Sequence, residues 1–320
     1  MRISRLFAVV TLACAVGVSF AQTTLKLGMQ LPETHPSYKG ALEIKKKLEE
    51  ASKGAMTLQI FPNSQLGDFK AMVGQVQAGD LDMAMTGYPD MSYIIPDLKL
   101  IGAPYVISNY DHLKAVLKGP YGQKMDAKFL EKGIRVADVW YEGARHTTAN
   151  KPIQSISDLK GLKMRTPNVP FLIEYARAVG ATPAPVAFAE VYLALQTKQV
   201  DAQENPLPTI EAKKFYEVQN NIILTGHISD ALLTVISPSL MGKLTPAEQK
   251  LLADITQEAA VNATNDIRKR EGELVDEFKK KGLQIVQVDR KSFQDAVLKS
   301  SPLESMGFTK ADFDKIQAAK

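Results

Sequence analysis

Cysteine is almost absent from this chain of 320 residues, in which Cys14 is the only one. It lies inside an apolar N-terminal run, so a chain cleaved after Ala21 contains no cysteine at all. Such a chain forms no disulfide, has no thiolate nucleophile and binds no metal through sulfur. The four histidines show no metal-ligand spacing; they are His35, His112, His146 and His227. We therefore expect no metal site and no cofactor.

Motifs of the common enzyme classes are missing as well. The sequence contains no G-x-S-x-G, H-E-x-x-H, P-loop or G-x-G-x-x-G. A catalyst would have to use an acidic side chain such as Glu142 or Glu190 as a base, and it would turn over a carboxylated substrate. A binding protein would return its ligand unchanged, and this non-enzymatic interpretation is the one that the sequence favours.

Neither sign of charge is in large excess. The chain has 39 Lys and Arg residues against 35 Asp and Glu residues. Two lysine triplets, at 45–47 and 279–281, fall on amphipathic helical patterns beside acidic residues, which is typical of solvated helix faces. Nucleic-acid binding needs clustered basic charge, so no nucleic-acid partner is predicted.

The N-terminus carries the pattern of a secretory signal peptide. Arg2 and Arg5 precede an almost uncharged apolar run from Leu6 to Phe20, and a small-x-small cleavage site ends at Ala21. We expect residues 1–21 to be removed and the mature chain to start near Gln22, in the periplasm.

Lipidation is the alternative fate of this leader. Cys14 would become the lipidated first residue, but Thr11 stands where a lipoprotein signal usually has leucine. No later segment reaches the ~18 consecutive apolar residues of a membrane-spanning helix.

The rest of the chain alternates strand-like and helix-like segments, which indicates βαβ units and a parallel sheet covered on both faces. Strands are predicted at Thr24 to Met29, Met56 to Phe61, Leu81 to Thr86, Ile134 to Tyr141, Gly161 to Arg165 and Val200 to Gln203. Helices are predicted at Ser37 to Ser52, Phe69 to Gln77, Val169 to Val179 and Ala189 to Lys198.

A long helix is predicted near the C-terminus. Thr245 and Glu248 form a capping box, and no proline follows before Gly282. At about 1.5 Å per residue this helix approaches ~50 Å, which is more than one lobe is wide. It is expected to cross two lobes, with Gly272 as a possible kink.

These patterns predict an α/β fold of the two-lobed periplasmic-binding-protein kind (type II-like), with an interlobe cleft and a long helix spanning both lobes. Lobe I is predicted at residues 22–142 plus 231–270, and lobe II at 143–230 plus 271–320. In such folds the ligand binds beyond the carboxyl ends of the strands, in the cleft.

Arg165 is the first candidate for that cleft. It ends a predicted strand in the stretch KMRTPNVP, and Pro167 prevents the strand from continuing. A guanidinium there can bind a carboxylate through two parallel hydrogen bonds. The alternative, weighed evenly on the pattern alone, is a surface arginine paired with a nearby glutamate.

Three further residues follow predicted strand ends or loops. Asn205, in QENPLP, is held before a proline and can donate to a ligand oxygen. Arg145 follows Gly143, which is expected to break the strand; this glycine is either a hinge position or the ordinary glycine of a strand exit. Phe188 could offer a ring face to a ligand. A turn role for Asn205 and core packing for Phe188 are equally open on the pattern.

Four segments resemble the solute-binding proteins of the tripartite ATP-independent periplasmic (TRAP) transporters, especially the sialic-acid-binding branch. They are KGLKMRTPNVP, GATPAPVAFAEVYLALQTKQVDAQENPL, FPNSQLGD and APYVISNYDHL. The resemblance runs over nearly all of the mature chain. It implies a largely monomeric binding protein that delivers its ligand to the small and large membrane subunits of a permease.

The resemblance also implies roles for single residues. Arg165 matches the arginine that bridges the ligand carboxylate, Asn205 the asparagine beside it and Arg145 a second arginine. Phe188 matches a phenylalanine of the pocket wall, and Asn168 a polar cleft residue. An ABC-linked binding protein of similar shape remains the alternative, and a neighbouring gene for an ATPase would support it.

First-lobe positions depart from the sialate branch. Gln30, Phe69 and Gly87 stand where that branch has polar or acidic residues, so a polyol tail would lack partners. The sequence therefore favours an organic acid such as an aromatic or branched 2-oxo or 2-hydroxy acid, with a sugar acid (uronate, aldonate or sialate) as the alternative.

Overall fold

The computed structural model describes residues 22–300, 304 and 307–319, so the predicted signal peptide and Cys14 lie outside the described residues. The strands are β1 Thr23–Met29, β2 Met56–Phe61, β3 Met83–Gly87, β4 Arg135–Ala149, β5 Lys163–Thr166, β6 Thr182–Pro185, β7 Ala202–Pro206, β8 Asn221–Ile223, β9 Ser229–Ile236 and β10 Gln284–Val286.

The helices alternate with these strands, as the sequence pattern predicts. They are α1 Pro36–Ala51, α2 Phe69–Ala78, α3 Lys99–Gly102, α4 Tyr110–Lys118, α5 Pro120–Glu131, α6 Pro170–Ala178, α7 Val191–Gln196, α8 Leu207–Ala212, α9 Pro238–Lys243, α10 Pro246–Lys280, α11 Arg290–Ser300 and α12 Lys310–Gln317. Every predicted element is present, with boundaries shifted by up to three residues except for the strand β4.

The strands form two halves that share β4. One half has the order β2-β1-β3-β9-β4 and the other β4-β7-β5-β6, with β8 also paired to β4 and β10 paired to β8. Pairing is parallel around β1 and around β5, but β9 and β4 are antiparallel to their neighbours. The all-parallel expectation is therefore wrong for these two strands, because they carry the chain between the halves.

Strand β4 continues through Gly143, where a break was expected. A bulge lies between Tyr141 and Gly143, and the glycine has φ +118°. Beyond this bulge β4 changes its partner from β9 to β7. A side chain at 143 would contact Pro206 and Glu271 at 3.0 Å, so glycine is required both for the backbone angle and for space. The predicted lobe boundaries themselves stay a prediction.

Helix α10 spans both halves, as expected from its length. Its capping box of Thr245 and Glu248 forms, and its 35 residues run through Gly272 without interruption. Ala259 and neighbouring small residues pack in the first-lobe core, whereas Leu274 and Phe278 pack in a second-lobe core. One continuous helix thus packs in the cores of both lobes and connects them.

Asp138 on β4 is a buried carboxyl group away from the cleft. Neither oxygen accepts a hydrogen bond within the described residues. Burial raises the pKa of Asp138 to about 7, and the nearby hydroxyls of Thr234 and Thr256 offset only part of this effect. Since the folded protein retains a proton that the unfolded chain releases, stability falls as pH rises from about 4 to about 7.

Replacing Asp138 with asparagine is expected to raise the melting temperature at pH 8 by at least ~3 °C, because about 1 kcal/mol shifts Tm by 2–4 °C in a domain of this size. At pH 5 the acid is already neutral, so the gain is expected to vanish. Thermal denaturation at both pH values checks this, with the exposed Asp254→Asn as the control. An equal gain at both pH values would contradict it.

Candidate functional site

The loops that follow strands of both halves enclose a cavity of about 270 Å³. All eight residues that the sequence singles out lie on its wall. They are Gln30, Phe69, Gly87, Arg145, Arg165, Asn168, Phe188 and Asn205. Gln30 directly follows β1 and Gly87 ends β3, while Arg165 and Asn205 lie near the ends of β5 and β7. The cavity therefore occupies the position expected for a ligand in an α/β cleft.

Arg165 is the buried cation of this cavity. Its residue is 2% exposed, and its Nε donates to the carbonyl oxygen of Val186 at 3.0 Å. Its guanidinium carbon lies 5.9 Å from the ring centre of Phe188. Among residues 22–300, 304 and 307–319 it forms no ion pair with a carboxylate.

Burial lowers the pKa of Arg165 to about 10, with Glu204 acting in the opposite direction. The side chain is therefore still charged at neutral pH. A buried charge without a protein partner is costly, and the two terminal nitrogens of this fork are free to bind a carboxylate. The surface alternative considered for Arg165 is wrong.

Arg145 differs from Arg165, because its guanidinium already binds two carboxylates of the protein. Its Nε and one terminal nitrogen contact both carboxylate oxygens of Glu204 at 2.5 and 2.8 Å, and the other terminal nitrogen donates to Asp230 at 2.6 Å. Its remaining contacts go to the Glu204 carbonyl and to Asn205. With five N–H donors in the group, little is left for a ligand.

Glu204 ties this arginine to a buried histidine. Its Oε2 lies 3.0 Å from Nε2 of His227, whose ring stacks on Tyr175 at 4.0 Å. Burial acts to raise the pKa of Glu204, but Arg145 and His227 outweigh it and lower that pKa to about 2. This glutamate is ionised at all ordinary pH values and fixes the orientation of Arg145.

The amide of Asn205 is oriented by its neighbours. Its oxygen accepts from Arg145 at 3.2 Å, and its nitrogen donates to Gln203 at 2.6 Å. Gln203 donates in turn to Thr148, and Thr148 to Gln219. With its oxygen and one N–H engaged, Asn205 keeps a second N–H, the donor that an anionic oxygen requires.

The other predicted residues form the wall. Phe69 is buried and meets the ring of Tyr93 edge-on at 5.9 Å. Phe188 and Gln30 are half-buried, and Asn168 is exposed. Phe188 thus combines the two roles considered for it, because it also packs against the cores of both lobes.

Four cavity carboxyl groups were missed as ligand contacts: Asp68, Asp90, Glu142 and Asp230. Burial raises the pKa of Asp90 to about 7 and that of Glu142 to about 8, with repulsion from Asp230 adding to both. Glu142 had been considered only as a catalytic base. Asp90, three residues beyond the end of β3, could have been found as a turn acid, whereas Asp230 lies in an apolar strand that gives no signal.

Neither His35 nor His146 lines the cavity. His35 caps α1, accepting from the Ser37 amide at 3.1 Å, and contacts Thr209, which donates to Glu142 at 3.1 Å. His146 accepts from the Gly226 amide. Burial lowers the pKa of both histidines to about 3, so they are neutral structural residues.

The cavity therefore combines a buried cation that has no carboxylate partner, Arg165, with several acceptors. In the part of the chain that the structure describes, no group of acidic, histidine or cysteine side chains could hold a metal ion. No helix among the same residues is long and apolar enough to cross a membrane. Two α/β lobes around an anion-binding cavity define a solute-binding protein.

Comparison with known proteins places the chain within that class. Residues 27–303 match the family described as bacterial extracellular solute-binding protein, family 7 (DctP). The chain belongs to this family of TRAP transporter solute-binding proteins, which confirms the resemblance seen in the sequence and the expectation of a non-enzymatic protein. The ABC-linked alternative is thereby set aside.

Relatives bind several acids. The chain is 40% identical to the sialic acid-binding periplasmic protein SiaP of Vibrio cholerae, over 91% of this chain and 90% of that protein. It is 34% identical to the 2,3-diketo-L-gulonate-binding periplasmic protein YiaO of Escherichia coli, covering 87% and 86%. A TRAP periplasmic solute-binding protein of Polaromonas bound to D-erythronate superposes with a TM-score of 0.88 at 31% identity, covering 93% and 99%.

Proposed function

We propose that this protein captures a sugar acid, an aldonate or uronate of about four to six carbons, in the periplasm. Closure of the two lobes traps the ligand, and the closed form delivers it to the small and large membrane subunits of a TRAP permease. The protein acts as a monomer, with lobe I at residues 22–142 plus 231–270 and lobe II at 143–230 plus 271–320.

Arg165 is the observation that carries this proposal. It is a charged, buried guanidinium that faces the cavity and has no carboxylate partner among the described residues. A ligand carboxylate would supply that partner, with Asn205 donating a further hydrogen bond. Closure removes water from the contact and strengthens it, so the ligand stabilises the closed form by its differential affinity.

The polar wall favours a hydroxylated chain over an apolar one. Asp90 and Glu142 line the same cavity as Arg165 and can accept hydrogen bonds from hydroxyl groups. The expectation of an aromatic or branched acid partly rested on the missing side chain at Gly87. Asp90 and Glu142 supply acceptors that this glycine lacks. That expectation is not confirmed, and the sugar-acid alternative fits the cavity and the named ligands of the relatives better.

Cavity volume supports a small acid. At about 270 Å³ the cavity lies just below the ~300–1,000 Å³ range of ordinary small-molecule sites. This size suits a chain of about four to six carbons, the length of an aldonate or uronate, better than the larger sialate.

Contacts across the cleft support lobe closure. Phe69 from the first half packs with Val169 and Phe171 from the second. The hydroxyl of Thr34, which follows β1, donates to the carbonyl of Ala212 at 3.1 Å. These contacts join residues of opposite lobes, which closure would bring together.

A thermal-shift panel tests the proposed ligand class. The panel contains D-erythronate, L-galactonate, D-galacturonate, 2,3-diketo-L-gulonate, sialate, phenyllactate and 2-oxoisovalerate. We expect the largest rise in melting temperature with an aldonate or uronate, because a bound ligand stabilises the protein by mass action, by ~2.7 kcal/mol at 100 times its Kd. A larger rise with phenyllactate or 2-oxoisovalerate would instead support the aromatic or branched acid.

A further inference from the structure

Gly87 leaves open a space that a neighbouring acid fills. A methyl group added at this glycine would lie 2.4 Å from Oδ2 and 2.7 Å from Cγ of Asp90. Gly87 is not among the glycines with positive φ, so the backbone angle does not demand a glycine. Glycine is required here for space, because the carboxyl group of Asp90 occupies the volume of a side chain at position 87.

The backbone around Asp90 is held firmly. Asp90 follows the buried Pro89 in a short 3-10 helix, Pro89–Tyr93, and the preceding Tyr88 donates its amide proton to the carbonyl of Ala231 at 2.8 Å. These contacts direct one carboxyl group into the cavity. Within the described residues that carboxyl group accepts no hydrogen bond and forms no ion pair.

The same cavity contains a cation without a carboxylate partner among the described residues, Arg165, which is 2% exposed. Arg165 can bind an anion, and Asp90 can accept hydrogen bonds from hydroxyl groups. A ligand that satisfies both must carry a carboxylate and a hydroxylated chain.

We propose that Asp90 is a specificity-determining residue that accepts hydrogen bonds from hydroxyl groups of the bound acid, and that Gly87 makes room for it. This inference rests on the proposed capture of an organic acid by Arg165. Asp90 is half-buried, and a bound aliphatic chain would cover its carboxyl group without supplying a hydrogen-bond donor, which costs about 1–3 kcal/mol. Asp90 therefore selects against acids without hydroxyl groups.

The electrostatic setting agrees with an unpaired acceptor. Burial raises the pKa of Asp90 to about 7; Asp230 and Glu204 act in the same direction, while Arg145 and Arg165 oppose them. Hydroxyl donors from a ligand would stabilise the ionised form, in the same way as donors at any carboxylate.

The test compares acids of equal length by titration calorimetry, using L-galactonate against hexanoate and D-erythronate against butanoate. In the wild type we expect the hydroxylated acid to bind at least about tenfold more tightly, since one lost partner of a buried acceptor costs more than 1 kcal/mol. Asp90→Ala is expected to reduce this preference about tenfold, because the hydroxylated acid loses its acceptor and the alkanoate no longer covers a carboxyl group without a partner.

Gly87→Ala supplies an independent arm. The added methyl group displaces the carboxyl group of Asp90, so the preference is expected to fall as it does in Asp90→Ala. In the double variant the preference for the hydroxylated acid is expected to fall no further than in Asp90→Ala alone, because both changes remove the same interaction. Gly74→Ala is the matched control, since nothing lies within 4 Å of a methyl group there.

The outcomes separate this inference from the proposed function. If Asp90→Ala keeps the full preference for hydroxylated acids, the role of Asp90 is wrong while capture of a sugar acid stands. If the wild type prefers the alkanoates, or binds neither series, both are wrong. The melting temperature of ligand-free Asp90→Ala shows that the variant is folded, and Asp90→Asn repeats the test without a change in volume.

Discussion

Replacing Arg165 with methionine is expected to weaken binding of the acid by at least about 100-fold without lowering the stability of the ligand-free protein. Each charge-assisted hydrogen bond to a carboxylate contributes about 1.5–3 kcal/mol, and a bidentate pair therefore accounts for two or more factors of ten. Methionine fills a similar volume and removes a buried charge that has no carboxylate partner among the described residues. The ligand-free melting temperature is thus expected to stay constant or to rise.

Titration calorimetry and thermal denaturation measure these two effects separately. Arg177→Met is the matched control, since Arg177 is exposed on α6 and pairs with Glu174 on the same helix. It is expected to change neither affinity nor stability appreciably. If Arg165→Met unfolds the ligand-free protein, the guanidinium is a structural group. If it folds and binds normally, the ligand carboxylate lies elsewhere.

The largest effect on stability is expected from Glu204→Gln. Glu204 contacts the Arg145 guanidinium through both oxygens and also contacts His227, with no exposure to solvent. Breaking a buried ion pair by removing one partner costs about 3–5 kcal/mol. At 2–4 °C per kcal/mol, the melting temperature is expected to fall by about 10 °C.

The pH dependence gives this prediction a second readout. The pKa of Glu204 is lowered to about 2 from an ordinary value of 4.5, so its stabilising contribution is present above that ordinary value. The contribution is lost as pH falls towards about 2. The wild type is therefore expected to lose more stability on acidification than Glu204→Gln does. Glu217→Gln, at an exposed glutamate that accepts from Tyr192, is the control and is expected to shift Tm by only ~1–2 °C.

The elements of the fold were predictable because local signals agreed. The capping box of Thr245 and Glu248, with Pro246 at the first helical position, predicts the start of α10, and the helix begins there in the structure. Strand β4 was not predictable in full. Gly143 predicts the end of a strand, but pairing with β9 and then with β7 keeps the strand continuous across the bulge.

The anion-binding end of the site was also predictable. Proline after Arg165 and after Asn205 ends each strand next to a polar side chain, and such ends meet in the cleft of an α/β fold. Their partners in space were not predictable. Glu204 and Asp230 form ion pairs with Arg145 only in the observed register of three strands, which no short stretch of sequence specifies.

The ligand preference shows where inference from single positions failed. Gly87 was interpreted as a missing carboxylate, but the space beside it is filled by Asp90, three residues further on. A glycine in sequence says which side chain is absent, whereas only the packing shows which neighbour takes its place.

One measurement tests the central claim most directly, namely that Arg165 binds the ligand through a carboxylate. The acid that gives the largest thermal shift is titrated against its primary amide, with both the wild type and Arg165→Met. The amide is expected to bind the wild type at least about 100-fold more weakly than the acid, and the variant is expected to bind both with nearly equal, weak affinity, because each change removes the same ion pair. Equal affinity of the wild type for acid and amide would contradict the claim.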